Sequence, residues 1–122
     1  MAVATFTWAA SPCAGVDRNL TNERKKILSP EIARQLKVKR ADVRYSFRAD
    51  GWTILYVNTY ESDDVYLFYS HNPLTSRHIT EWGGAAEVDE EREIRTWIIK
   101  HAPGIPGRLA GCFAWHVTKE DN

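Results

Sequence analysis

Residues 42–60, DVRYSFRADGWTILYVNTY, form two alternating segments on either side of Asp50-Gly51. An Asp-Gly pair in this place is the preferred type I′ hairpin turn, because both central residues of that turn need positive φ. A two-residue turn fixes the strand register, pairing Ala49 with Trp52, Phe47 with Ile54 and Tyr45 with Tyr56. We expect these pairs to share one apolar face of a sheet with Val43.

A third strand is predicted directly after this hairpin. A polar turn at residues 61–64 leads into the apolar segment 65–70, so the three strands form an antiparallel meander. The side chains that we assign to the opposite face are apolar as well: Leu55, Val57, Tyr66 and Phe68. The pattern indicates that both faces of the sheet are at least partly covered.

One helix is predicted before the meander and one after it. Residues 21–37 have Thr21 as a candidate N-cap and an apolar face at three-to-four-residue spacing, made by Ile27, Leu28, Ile32 and Leu36. Pro30 predicts either a kink in this helix or two abutting helices. Residues 89–102 form the second helix, whose buried face carries Ile94, Trp97 and Ile98.

The remaining apolar segments, residues 2–10 and 109–117, are interpreted as the first and last strands. The chain of 122 residues is long enough for one hydrophobic core. We therefore predict a single α+β domain over residues 1–122, with an antiparallel sheet of four to five strands, a central three-stranded meander and two helices.

Charge is unevenly distributed along a chain whose net charge is zero. Residues 18–48 carry ten basic and three acidic residues, whereas residues 49–93 carry two basic and ten acidic residues. Either the two segments lie side by side and cancel, or a charged patch steers a partner. The basic segment, with Tyr45 as a stacking platform, is the alternative of a nucleic-acid surface, but the acidic segment would repel a phosphate backbone, so we expect no nucleic-acid partner. No stretch is long enough to span a membrane.

Cys13 and Cys112 lie near the two ends of the chain, where native domains often bring their termini together. We expect a disulfide between them, which places the protein in an oxidising compartment. The alternative is two buried, unlinked thiols in a cytosolic protein.

Two groups of residues are candidates for chemistry. Cys112 and His116 suggest a nucleophile and its base, but four residues along the predicted strand span about 13 Å, which is too far for a hydrogen bond. His71, His78 and Asp63, with Asp64, are candidates for acid–base catalysis or metal binding. Their spacing matches no metal-ligand motif, so we expect no metal and no cofactor.

Residues 71–87, with Pro73, Gly83 and Gly84, show no sustained hydrophobic periodicity and are predicted to form a long loop. Loops of this length in compact domains are frequently functional. We expect the contact residues of a binding site to come from this loop: Arg77, His78, Glu81 and Trp82.

Four strings, YLFY at 66–69, ITEWGGAA at 79–86, APGIP at 102–106 and CFAWHVT at 112–118, resemble those of small exported proteins of proteobacteria. The resemblance covers nearly the whole chain. It implies a periplasmic location and no particular catalytic activity. No full signal peptide precedes Cys13, which departs from the pattern and leads us to expect a mature chain begun with an added Met.

Two functions of different classes fit these observations. The first is a small periplasmic binding protein, such as an inhibitor or immunity-type protein that blocks a hydrolytic protein partner. The chain is expected to be a monomer or a homodimer, and a homodimer built on an exposed strand edge is a third, separate possibility. The second is a small hydrolase or ligand-binding enzyme that uses His71, His78 and Asp63.

Overall fold

The structure, a computed structural model, describes residues 11–121. In chain order the elements are α1 (Asn22–Leu36), β1 (Asp42–Ala49), β2 (Trp52–Asn58), β3 (Val65–Tyr69), β4 (Thr80–Gly83), α2 (Glu91–His101), α3 (Gly107–Trp115) and a π-helical turn (His116–Glu120). The strands form one antiparallel sheet in the order β1-β2-β3-β4. The predicted α+β class is confirmed, and so is the central meander.

The β1–β2 hairpin has the turn that its sequence predicts. Asp50 and Gly51 both have positive φ, at 51° and 82°, as a type I′ turn requires. The three predicted cross-strand pairs are all present. A β-bulge between Val43 and Tyr45 inserts Arg44 as an extra residue, which reverses the side-chain alternation. The prediction for Val43 is therefore wrong, because its side chain packs on the opposite face, against the α1 side.

The predicted faces of β3 are also wrong. Tyr66 pairs with Tyr56, and Phe68 pairs with Ile54, so both side chains share the face of Ile54. Directly opposed residues of antiparallel strands point to the same side of a sheet, and the register places Leu67 with Leu55 on the other face.

Both faces of the sheet are covered, as expected. On one face α1 packs Leu28, Ile32 and Ala33 against buried side chains of the strands. The larger core lies on the other face, where α2 and α3 contribute the buried residues Ile94, Ile98, Leu109, Ala110, Phe113 and Ala114. The sheet is thus sandwiched between one helix and a pair of helices.

Helix α1 begins and ends at recognisable caps. The Thr21 hydroxyl accepts a hydrogen bond from the Arg24 amide at 3.1 Å, and Lys37 ends the helix in the left-handed conformation with φ 57°. Pro30 lies inside one helix, Asn22–Leu36, so the alternative of two abutting helices is wrong.

Two segments differ from the sequence prediction. Residues 109–117 are not a strand: they lie in α3 and the π-helical turn, so the described residues form three α-helices instead of two. Residues 71–87 are not one long loop, because they contain β4, which supplies the fourth strand. The predicted strand at residues 2–10 lies outside the described residues.

A disulfide joins Cys13 to Cys112, as predicted, so neither of the two cysteines in the chain is free. It closes a loop across 99 positions and fixes the segment before α1 to the middle of α3. Both cysteines are buried in the larger core. None of the helices in residues 11–121 is long and apolar enough to cross a membrane.

Candidate binding groove

The four predicted contact residues do not share one surface. His78 and Glu81 lie together on the α1 side of the sheet, where Nε2 of His78 is 3.5 Å from Oε2 of Glu81. Trp82 points to the opposite side, because it pairs with Tyr66 and packs against Phe113. Its half-buried ring belongs to the larger core.

Arg77 lies on a third surface of the domain. It lines a shallow depression beside α1 together with Glu31 and Arg34. Arg34 donates two hydrogen bonds to the Glu31 carboxylate and Gln35 donates a third, and these bonds lower the pKa of Glu31 to about 2. The local charges are thus already paired without Arg77.

The residues of the enzyme hypothesis are also separated. Asp63 precedes β3 and His71 follows it, and the five residues of that strand alone span about 13 Å. His78 stands edge-on to the Tyr69 ring, beside Glu81. The structure does not bring His71, His78 and Asp63 into one site, and the hydrolase function itself stays a prediction.

The Cys112 and His116 pair is closer than its spacing on a strand implied, because the segment is helical and residues four apart are neighbours. The disulfide removes Cys112 as a nucleophile. His116 is buried and has two partners: Nδ1 is 2.6 Å from Oε1 of Glu120, and Nε2 is 3.1 Å from the Tyr66 hydroxyl. This histidine holds the C-terminal turn against the sheet.

Arg18 extends the same network to the surface. Its guanidinium donates to both carboxylate oxygens of Glu120 and lies 5.3 Å from the centre of the Phe47 ring. Hydrogen bonds from Arg18 and His116 hold the pKa of Glu120 below its usual range, whereas burial raises the pKa of Tyr66. The cluster is one hydrogen-bonded structural network that runs from the Arg18 guanidinium to the Tyr66 hydroxyl.

A larger concavity lies between the first half of α1, the hairpin tip at residues 49–53 and the segment 70–74. We call it the α1 groove. Its volume is about 1080 Å³, which is at the upper end of the range of small-molecule pockets. A fourth segment, residues 15–17 before α1, completes the lining, so the groove is built from parts of the chain that are distant in sequence.

Gln35 fixes the wall that residues 70–74 form. Its side-chain amide donates to the carbonyl oxygens of Pro73 at 2.8 Å and Ser76 at 3.0 Å, and its oxygen accepts from the Tyr69 hydroxyl at 2.8 Å. The Leu74 amide donates to Oδ1 of Asn72. These bonds anchor Leu74 at the rim of the groove without burying it.

Apolar side chains at the rim are exposed. Ile27, which the sequence placed on the buried helix face, is 59% exposed, and Leu74 is 38% exposed. Both line the groove, together with the buried residues Leu28 and Pro73. Exposed apolar side chains that are grouped around a concavity are a feature of protein-contact surfaces.

The floor of the groove carries two guanidinium groups. Arg24 is half-buried and donates one hydrogen bond to the Ser46 hydroxyl, at 2.5 Å. Burial lowers the pKa of Arg24, and the neighbouring charge of Arg48 lowers it further, although Asp17 opposes this. Arg48 is paired with Asp17 at 2.8 Å. In the described part of the chain, no carboxylate lies within salt-bridge distance of Arg24.

The groove contains one side-chain pair of catalytic type. Oγ of Ser70 is 3.0 Å from Nδ1 of the exposed residue His71. Within residues 11–121 no carboxylate is paired with His71, and no group of three histidine, cysteine or acidic residues is arranged to hold a metal ion. Among the described residues the pair therefore lacks the carboxylate that orients a catalytic histidine.

Ion pairs between segments offset part of the charge asymmetry. Arg44 reaches Asp64 at 3.5 Å, and Arg108 pairs with Asp50. Lys25 and Lys26 in α1 have no such partner among the described residues, so positive charge is concentrated along one flank of that helix.

No protein-family model, curated protein or solved structure matches the chain.

Proposed function

We propose that this chain is a small periplasmic binding protein whose α1 groove contacts a protein partner, in the manner of an inhibitor or immunity-type protein that blocks a hydrolytic enzyme. The observation that carries the proposal is that the exposed apolar residues Ile27 and Leu74 line the same groove as Arg24, whose guanidinium has no carboxylate partner among the described residues. Arginine is enriched at interface hot spots, and the buried centre of an interface is more apolar than the rest of a protein surface.

The anchors are presented on rigid elements. Ile27 lies in α1, whose neighbour Leu28 is buried, and Leu74 is held by the hydrogen bonds of Gln35 and Asn72. This chain therefore loses little conformational entropy when a partner binds to the groove.

The periplasmic location is supported by the disulfide, because such bonds persist in oxidising compartments and are rare in the cytosol. The hydrolytic nature of the partner rests on the class of scaffold. A small disulfide-closed domain that exposes apolar anchors, and whose described residues assemble no catalytic group, fits an inhibitor better than an enzyme.

The experiment is affinity capture from a periplasmic extract at low salt with the immobilised chain and three variants. Ile27→Asp and Leu74→Asp each place a charge at the rim of the groove. Ile99→Asp is the matched control, because Ile99 is 50% exposed on α2, which covers the other face of the sheet.

We expect a partner that the wild-type chain and Ile99→Asp retain and that both groove variants lose by at least tenfold, with all four proteins equally folded by circular dichroism. The partner's hydrolytic activity should fall when the chain is added. Retention of no protein above background, or equal retention by all variants, contradicts the proposal.

A further inference from the structure

A second concavity follows the opposite flank of α1, along the edge of the sheet. It is lined by Lys25, Lys26, Ser29 and Pro30 of α1 and by residues 42–45 of β1, and its volume is about 690 Å³. We call it the β1 groove. The α1 groove and the β1 groove share the helix but no lining residue.

The β1 groove has an excess of positive charge. Lys25, Lys26 and Arg44 contribute three cations, and Asp42 is the single carboxylate in its lining. Asp42 accepts a hydrogen bond from the Tyr60 hydroxyl, and Arg44 is only loosely paired with Asp64 at 3.5 Å. Within residues 11–121 neither lysine makes an ion pair, so two positive charges of the lining have no carboxylate partner.

Only a short part of the free edge of β1 is accessible to another strand. Asp17 exchanges two backbone hydrogen bonds with Arg48, each of 2.8 Å, and Ser46 is buried. The bulge at Arg44 then leaves Arg44 and Tyr45 exposed. A bulge and a covered segment prevent the regular addition of a long strand.

These features decide which occupant fits the groove. A second copy of the chain, paired edge to edge about a twofold axis, would place lysine against lysine across the contact. A single-stranded nucleic acid would stack its bases on an aromatic ring, but Tyr45, the one aromatic residue among the described lining residues, already stacks on Tyr56 at 5.6 Å and also meets His116. A carboxylate-rich protein segment meets neither obstacle.

We infer that the β1 groove binds an acidic, extended segment of a protein partner, whose carboxylates pair with Lys25, Lys26 and Arg44. This inference deepens the proposed function, on which it rests, by giving the partner a second, charged contact on the other flank of α1. Charged contacts of this kind chiefly accelerate association and select the partner.

The first test uses the full chain labelled with ¹⁵N and hexaglutamate as the probe, with hexalysine as the charge control. We expect hexaglutamate to shift the amide signals of Lys25, Lys26, Arg44 and Tyr45, and its affinity to fall with rising salt. The variant Lys25→Glu/Lys26→Glu should bind at least tenfold more weakly.

The matched variant is Lys37→Glu/Lys39→Glu, which makes the same change of charge at exposed sites outside the groove. It should bind within about threefold of the wild-type chain, because screening weakens charges more than a Debye length away. Equal losses in the two variants, or signal changes away from the β1 groove, overturn the inference. Tighter binding of a hexathymidine oligonucleotide than of hexaglutamate overturns it in favour of nucleic acid.

The second test applies the same variants to the captured partner and separates the two proposals. Loss of the partner by Lys25→Glu/Lys26→Glu, but not by Lys37→Glu/Lys39→Glu, is the expected result. If Ile27→Asp loses the partner and Lys25→Glu/Lys26→Glu retains it fully, the β1 groove inference fails and the α1 groove proposal stands. If hexaglutamate binds as expected and the wild-type chain retains no partner, the α1 groove proposal fails.

Discussion

Replacing Cys13 and Cys112 together by alanine should remove a large part of the stability of the domain. The disulfide closes a loop across 99 positions, and for such a loop the entropy withheld from the unfolded chain is worth about 4.7 kcal/mol. Both side chains are buried, so the two lost sulfur atoms add about 1 kcal/mol of packing. Small domains have only about 5–15 kcal/mol in total.

The measurement is equilibrium unfolding in urea, followed by the fluorescence of the five tryptophans. With a slope of about 1.5 kcal/mol per molar urea, the packing loss of the double variant lowers the unfolding midpoint by about 0.7 M, and the loss of the disulfide alone lowers it by about 3 M. Adding a thiol reductant to the wild-type chain should reproduce the fall that is due to the disulfide alone, and adding it to the double variant should have no effect. A midpoint that moves by less than about 0.5 M with an unchanged slope refutes the reasoning.

Three further substitutions test the interior and the hairpin. His116→Ala should destabilise the fold by about 2–4 kcal/mol, measured by thermal unfolding, because it leaves the Tyr66 hydroxyl and Glu120 without their buried partner. Burial raises the pKa of Tyr66, so the contribution of this residue to stability is present below about pH 10 and is lost as the pH rises further. Tyr66→Phe should therefore reduce the loss of stability at alkaline pH. If the stability of this variant falls between pH 8 and 11 as steeply as that of the wild-type chain, the reasoning is wrong. Gly51→Ala should cost about 1 kcal/mol in urea unfolding, because Gly51 has φ 82°, whereas an unchanged midpoint would show that the turn adapts.

The hairpin could be predicted because its signal is local. Asp50-Gly51 specifies the turn, and the turn specifies the register of the two strands. The bulge at Arg44 has no comparable mark in the sequence, and one extra residue is enough to move Val43 to the other face.

The prediction of a strand where helix α3 lies is wrong for a different reason. Between Leu109 and Ala114 every residue of α3 except Gly111 is buried. This segment is therefore an apolar run without the polar positions that reveal a helical period. A short, fully buried run has the same appearance in a strand and in a helix. The prolines and glycines at 103–107 mark the end of α2 but do not indicate whether a strand or a helix comes next.

The sequence does not reveal the α1 groove, because no single segment contains it. Arg24, Ile27 and Leu74 come together only through the packing of α1 on the sheet and the hydrogen bonds of Gln35. One signal is present in the sequence, since Ile27 and Leu28 are adjacent and only one of them can point directly at the core. The predicted contact residues instead lie in β4 or just before it. Successive side chains of a strand alternate between the two faces, so Glu81 and Trp82 point to opposite sides of the sheet.

Photocrosslinking in cells that export the chain tests whether the α1 groove is the contact surface. A benzophenone side chain is introduced at Leu74 in one protein and at Ile99, as the matched exposed position, in another. We expect irradiation to give one specific adduct from position 74 and none from position 99, with the adduct abolished by Ile27→Asp. An adduct from position 99 alone, or no adduct from position 74, would contradict the assignment of the groove.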